Sequence, residues 1–117
     1  MQDTQPRPRI RLSDRDILNL CREHHYAYTQ YQLSQCCGRN RSWISSLAAS
    51  GRRMSVDGLE TLMLNITRYA NQHPDWQTEF KLLELRHLIA NECMTRRHED
   101  ALAWIARRNQ GMCDAHS

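Results

Sequence analysis

The sequence predicts an all-α fold of five helices, in which the second and third form a helix-turn-helix pair and the chain's end supplies a helical dimerisation extension. Three observations predict it. Only four glycines and three prolines interrupt 117 residues, and two of the prolines fall within the first nine. Such a chain favours helices joined by short turns. Apolar residues recur at helical spacing in the longer segments. Between Thr29 and Gly51 two short amphipathic stretches flank Gly38, a residue suited to end a helix in a left-handed conformation. The length fits one domain, or a small domain with an appended segment. A hydrophobic content of 40% argues against a large single core. The expected division is a flexible basic arm at 1–12, a helix-turn-helix unit at 13–72, a helical dimerisation segment at 73–110 and a disordered tail at 111–117.

In the arm, Pro6 and Pro8 block a helix, and Arg7, Arg9 and Arg11 alternate along an extended strip. Such arms lie along a DNA backbone or enter a minor groove; the alternative is a solvated terminus. Ser13 opens the first helix, with Asp16 as its capping-box partner and Asp14 beside it in the first turn. Ile17, Leu20, Cys21 and His24 form its inner stripe, and the helix is expected to end near His25 or Tyr26.

Thr29 caps the second helix, with Gln32 three residues on. Leu33 and Cys37 face inward, and Ser34 is small where the next helix must come close. After Gly38, Asn40 can cap the third helix, whose inner face is Trp43 or Ile44 with Leu47; Gly51 stops it. Arg41, Ser42, Ser45 and Ser46 are left outward, a poor face for packing but a good one for hydrogen bonds to base edges. Ser55 starts the fourth helix, with Asp57 in its first turn. Its stripe is Val56, Leu59, Leu62 or Met63, Ile66 and Ala70.

Asn71-Gln72-His73-Pro74 breaks the chain, and Asp75 caps a long helix beyond it. Trp76, Phe80, Leu83, His87, Ala90 and Met94 form one stripe, and Leu82, Leu85 and Ile89 widen it or form a second. A helix apolar over more than half its circumference must bury against something. Self-association is the economical answer, which puts Phe80, Leu83, His87, Leu82, Leu85 and Ile89 in a dimer interface; the alternative is packing within the chain. The helix continues or restarts near Thr95, with Ala101, Leu102 and Ile105 as a last stripe and Trp104 beside them.

Net charge is +3, but its distribution says more. Between Glu23 and Asp57 no acidic residue occurs, yet Arg39, Arg41, Arg52 and Arg53 do. Positive charge is thus focused on the Gly38 unit, as phosphate binding requires; the alternative is a solvated charged face. The five cysteines show no paired spacing, and no signal peptide or membrane-length apolar run occurs, so the expectation is a cytoplasmic protein with reduced thiols and no membrane contact. His87, Cys93 and His98 match no zinc-finger spacing, and neither metal nor cofactor is expected. No nucleophile–base pair or phosphate loop points to an enzyme.

The ordered set Thr29, Gln30, Leu33, Ser34, Gly38, Asn40, Ser42, Ile44, Ser45 and Leu47 resembles the lambda-repressor-like (xenobiotic-response-element, Cro-type) helix-turn-helix family, and the flanking helices extend the resemblance over about residues 13–70. The family usually has alanine where Ser34 stands. The resemblance implies a dimeric DNA-binding domain on double-stranded DNA with an inverted-repeat operator. By that analogy Arg41, Ser42, Ser45 and Ser46 read bases, and Gln30, Asn40 and Trp43 lie at phosphates or the groove edge. Arg52 and Arg53 follow the reading helix, placed for flanking phosphates. The expected function is a transcriptional regulator, most simply a homodimeric repressor of a phage, plasmid or mobile-element operon. The alternative is an antitoxin-type interaction protein that binds a partner protein and autoregulates its own operon.

Overall fold

The computed structural model describes residues 10–72 and 75–115, with side chains through residue 111. Five helices follow in order: α1 (Asp14–Glu23), α2 (Gln30–Cys36), α3 (Trp43–Ala49), α4 (Val56–Asn71) and α5 (Trp76–Ala115); no strand occurs among the described residues. Residues 111–115 were expected to be a disordered tail, but they continue α5. Arg7 and Arg9 lie outside the described residues.

Local chemistry sets the helix starts. Ser13 Oγ accepts from the Asp16 amide, and the Asp16 carboxylate accepts from the Ser13 amide, a complete capping box. Thr29 Oγ1 caps α2 by accepting from the Gln32 amide, but the Gln32 side chain reaches one residue further back, to the Tyr28 amide. Ser55 Oγ accepts from the Gly58 amide, and Asp75 accepts from the Gln77 amide and the Thr78 hydroxyl.

The first three helices end alike. The amides of Gly38 and Arg39 reach back to the carbonyls of Gln35 and Ser34, and those of Gly51 and Arg52 to Ala48 and Leu47. Each glycine sits in the left-handed region, at φ 74° and 70°. This six-to-one, five-to-two closure satisfies carbonyls the helix end would orphan. At the end of α1 the same closure places His25 at φ 56°. Histidine tolerates that region less well than glycine.

One core runs through all five helices. It holds Ile17, Leu18 and Cys21 of α1, Leu33 of α2, Ile44 of α3, Leu59, Leu62 and Ile66 of α4, and Leu82, Leu85, Ile89 and Cys93 of α5. Burial pushes the thiols of Cys21 and Cys37 up to about 12, so both stay protonated and act as small apolar residues.

Here one expectation is corrected. Leu82, Leu85 and Ile89 were placed in a dimer interface, yet all three are buried within the chain, where α5 packs mainly on α4 and also touches α1. Each contributes about 1.5–3 kcal/mol of burial. The body of the protein therefore extends past residue 73 to about Asp100, and the first half of α5 is part of the core. The outward stripe is a separate matter: Phe80 is 66% exposed, His87 is exposed and Leu83 is half-buried. Residues 101–111 are exposed throughout, so the last turns of α5 project from the body.

A second correction concerns residues 10–12, expected to belong to a free arm. Their chain is extended but tethered to α5. Arg11 places Nε and Nη2 on the Glu92 carboxylate, at 3.1 Å each, and pairs with Glu99 at 2.9 Å. The Leu12 amide donates to Glu92 at 2.8 Å, and the Leu12 carbonyl accepts from Arg96. Arg11 is thus a clasp between the N-terminal segment and α5. Its charge is already matched by two carboxylates, so it is poorly placed to serve a phosphate.

Candidate nucleic-acid interface

The α2–α3 unit is held by one buried hydroxyl. Ser34 is fully buried; its Oγ donates to the Gln30 carbonyl at 2.8 Å and accepts from the Ile44 amide at 3.2 Å. One side chain therefore closes α2 on itself and satisfies an amide in the first turn of α3, which Ser42 leaves without a side-chain cap. Asn40 acts on the turn before it. Its Oδ1 accepts from both the amide and the hydroxyl of Ser42, at 3.1 and 2.9 Å.

Trp43 fixes how α3 lies against α4. A Cβ added to Gly58 would meet Cη2 of the Trp43 ring at 2.4 Å, so the indole lies directly on the Gly58 backbone. Arg39 covers the ring, its guanidinium carbon 5.3 Å from the centroid. Trp43 had been assigned to phosphate contact; what the structure gives it is a packing role, a wedge between Arg39 and α4.

Outward of this wedge, Arg41, Ser42, Ser45 and Ser46 are all exposed. Ser45 Oγ donates to the Ser42 carbonyl at 3.0 Å. Arg41 makes no ion pair among the described residues, and it borders a shallow cleft with Tyr31, Asn40 and Ser42. Gln30 lies on the α1 side of the unit. It lines a groove with Arg15 and Arg22 of α1 and with Ile44 and Ala48 of α3. Arg22 is braced by the Tyr28 carbonyl and the Asn19 side chain. Arg15 and Arg22 had not been assigned any role. Their spacing along α1 reads as an ordinary solvated face, and only folding sets them beside Gln30.

After Gly51 the two arginines part. Arg52 is exposed with no ion pair among the described residues. Arg53 turns toward α5, pairing with Glu99 at 3.0 Å and Asp100 at 3.4 Å. Arg53 was assigned to phosphate; its guanidinium instead clamps the loop before α4 to α5. Among the described residues the arginines gathered around α3 that make no ion pair are therefore Arg15, Arg22, Arg39, Arg41 and Arg52, with Gln30, Ser42, Ser45 and Ser46 as neutral hydrogen-bonding groups.

No family model matches the chain, and neither does any curated protein or solved structure. Among the described residues no helix is long and apolar enough to cross a membrane.

Proposed function

We propose that this protein is a sequence-specific DNA-binding regulator that acts as a homodimer, most simply a repressor of a phage, plasmid or mobile-element operon working in the cytoplasm. The observation that carries the reading is the outward side of α3. Arg41, Ser42, Ser45 and Ser46 are exposed, and the stretch between Glu23 and Asp57 contains no acidic residue to neutralise the arginines around them. Arg41 would take the O6 and N7 of a guanine in the major groove, Ser42 and Ser46 adding weaker contacts. Gln30 and Asn40, with Arg15, Arg22 and Arg52, would hold the phosphates on either side. A homodimer on an inverted-repeat operator would set two such helices about 34 Å apart, one turn of DNA. Binding there would block transcription by occupancy.

Arg41→Ala should cut preference for an operator, selected from fragments of the source genome, by about 5- to 150-fold over unrelated DNA. The fold should not change, because Arg41 is exposed and makes no ion pair among the described residues. Competition gel shift reads this directly, and unchanged selectivity would remove α3 from the reading role.

A second reading has its own observation. Phe80, Met94, Leu102 and Trp104 are all more than half exposed on α5, and such a stripe also suits a protein partner, as in an antitoxin that autoregulates its operon. A small toxin-like reading frame beside the gene, and a complex with its product, would favour it.

A further inference from the structure

α5 carries two apolar faces on opposite sides. Leu82, Leu85, Ile89 and Cys93 face inward and are buried. The outward stripe from Trp76 through Phe80, Leu83, His87 and Ala90 to Met94 advances by alternating steps of four and three residues, and the same steps lead on to Arg97, Ala101, Trp104 and Arg108. That spacing is the seam of a two-helix coiled coil. Among the described residues its two ends stay open, Trp76 being 71% exposed and Trp104 53%, while Leu83 and Ala90 are half-buried and Met94 borders a cleft with Ile10 and Leu12. The helix is 40 residues long, about 60 Å, and residues 101–111 on it are all exposed.

We infer that two copies of this chain pair through α5 in antiparallel register, with position 92 of each at the two-fold axis. The projecting turns of each copy then cover the Trp76–Phe80 end of the other. This rests on the homodimer proposed above and gives it a geometry.

Size and charge both select the register. With position 92 at the axis, Phe80 faces Trp104 of the second copy, Leu83 faces Ala101, and Ala90 faces Met94. Two of these three layers set a large side chain against an alanine, and the third joins two aromatic rings. Trp76 lies against Arg108, which already stacks on the ring of Trp104 in its own chain at 5.3 Å. Along the flanks Glu79 meets Arg107, while Arg86 and Glu84, bonded to Thr67 and His24 of their own chain, come level with Asp100, held by Arg53, and with His98. Only the layer of His87 and Arg97 lacks complementarity, and Arg97 is held aside by Glu60 of its own chain. A parallel in-register pair does worse. It sets Glu79 beside Glu84 and stacks Arg97 on Arg97 and Arg108 on Arg108. Flanking charges commonly decide coiled-coil orientation in this way. Each folded body lies on the far side of its own α5, so the pairing leaves both bodies outside the seam.

Sedimentation equilibrium of the full chain tests this. Glu79→Arg should weaken the dimer about tenfold, since two symmetry-related pairs turn repulsive, and Arg107→Glu should do the same. Combining the two should restore the wild-type constant to within about threefold. Phe80→Glu or Trp104→Glu, both at exposed sites, should weaken it by roughly a hundredfold with helical circular dichroism intact. A tighter dimer on Glu79→Arg would indicate the parallel arrangement and overturn the inference. So would a wild-type chain that stays monomeric at tens of micromolar. A dimer indifferent to all four substitutions would overturn the register yet leave the DNA reading standing, because Arg41→Ala tests that independently.

Discussion

Replacing Arg96 by alanine should lower the unfolding free energy by about 3–5 kcal/mol, the range for breaking a buried ion pair from one side. Arg96 is 2% exposed, and its guanidinium ties three parts of the chain together, residues 12–14, Met54 and α5. Nε donates to Glu92 at 2.8 Å, Nη1 to Asp14 and to the Met54 carbonyl at 2.9 Å each, and Nη2 to the Leu12 carbonyl at 2.8 Å. Asp14 in turn accepts from the Met54 amide at 2.9 Å. No buried side-chain polar atom lacks a partner among the described residues. Removing the arginine takes one donor from Glu92, which keeps Arg11 and the Leu12 amide, and leaves Asp14 and two carbonyls short of a donor at once. Arg96→Met, which restores volume but no donors, should recover only a small part of the loss. The pair Glu92→Leu with Arg96→Met removes both charges but takes the acceptor from Arg11 and the Leu12 amide, so it should recover no more than Arg96→Met alone. Urea unfolding at neutral pH measures all three. A loss below about 1 kcal/mol for Arg96→Ala would mean the network holds little.

The same network predicts an acid limb. Burial pushes the Glu92 carboxyl up. Donation from Arg11, from the Leu12 amide and from Arg96 more than offsets this, holding it at about 2 against an ordinary 4.5. A carboxyl whose folded pKa is depressed contributes stability that is fully present above its unfolded value and lost as pH falls toward the folded one. Stability should therefore decline between about pH 4.5 and pH 2. In Arg96→Ala the decline should be shallower, because Glu92 moves back toward its ordinary range.

How much of this was legible in the sequence differs by scale. Caps and stops are local chemistry, so Ser13, Thr29, Ser55, Gly38 and Gly51 mark their helix ends before any fold is known, and the outward exposure of Arg41, Ser42, Ser45 and Ser46 follows from the spacing of the apolar residues among them. The error at α5 had a physical source. A helix apolar on both sides carries no mark of which side is its own core, so Leu82, Leu85 and Ile89 read like Phe80 and Leu83. The ion pairs of Arg11 and Arg53 were hidden for another reason. Their carboxylate partners lie on α5, 88 residues from Arg11 and 46 from Arg53 in the case of Glu99, and a basic residue in a basic stretch looks free until the fold closes on it. Glu92 and Arg96 sit in a charged stretch that reads as solvated, and only the convergence of residues 11–14 and 54 on it makes it an interior.

Trp43 and Gly58 are a pair that no single-residue pattern announces, and their coupling should be large. Alanine is preferred to glycine inside a helix by about 0.5–1 kcal/mol, so Gly58→Ala in α4 would ordinarily stabilise. Here the added carbon meets Cη2 of Trp43 at 2.4 Å, and the second contact, Cζ3, stands at 3.2 Å. The indole has to move, and α3 is carried with it. The expected cost is about 1–3 kcal/mol, the range for overpacking a closed contact. Trp43→Leu alone should also destabilise, by opening the space beneath α3 and unseating Arg39 from its ring. Together the two substitutions should cost less than their sum by at least 1 kcal/mol, because a leucine at 43 leaves room for the methyl that the indole forbids. Thermal and urea unfolding of the four proteins closes the cycle. Additive losses would show that the ring does not rest on Gly58. Operator affinity supplies the functional half: if α3 reads DNA, Gly58→Ala should weaken specific binding beyond what its loss of folded protein explains, since it tilts the reading helix without touching a single exposed side chain.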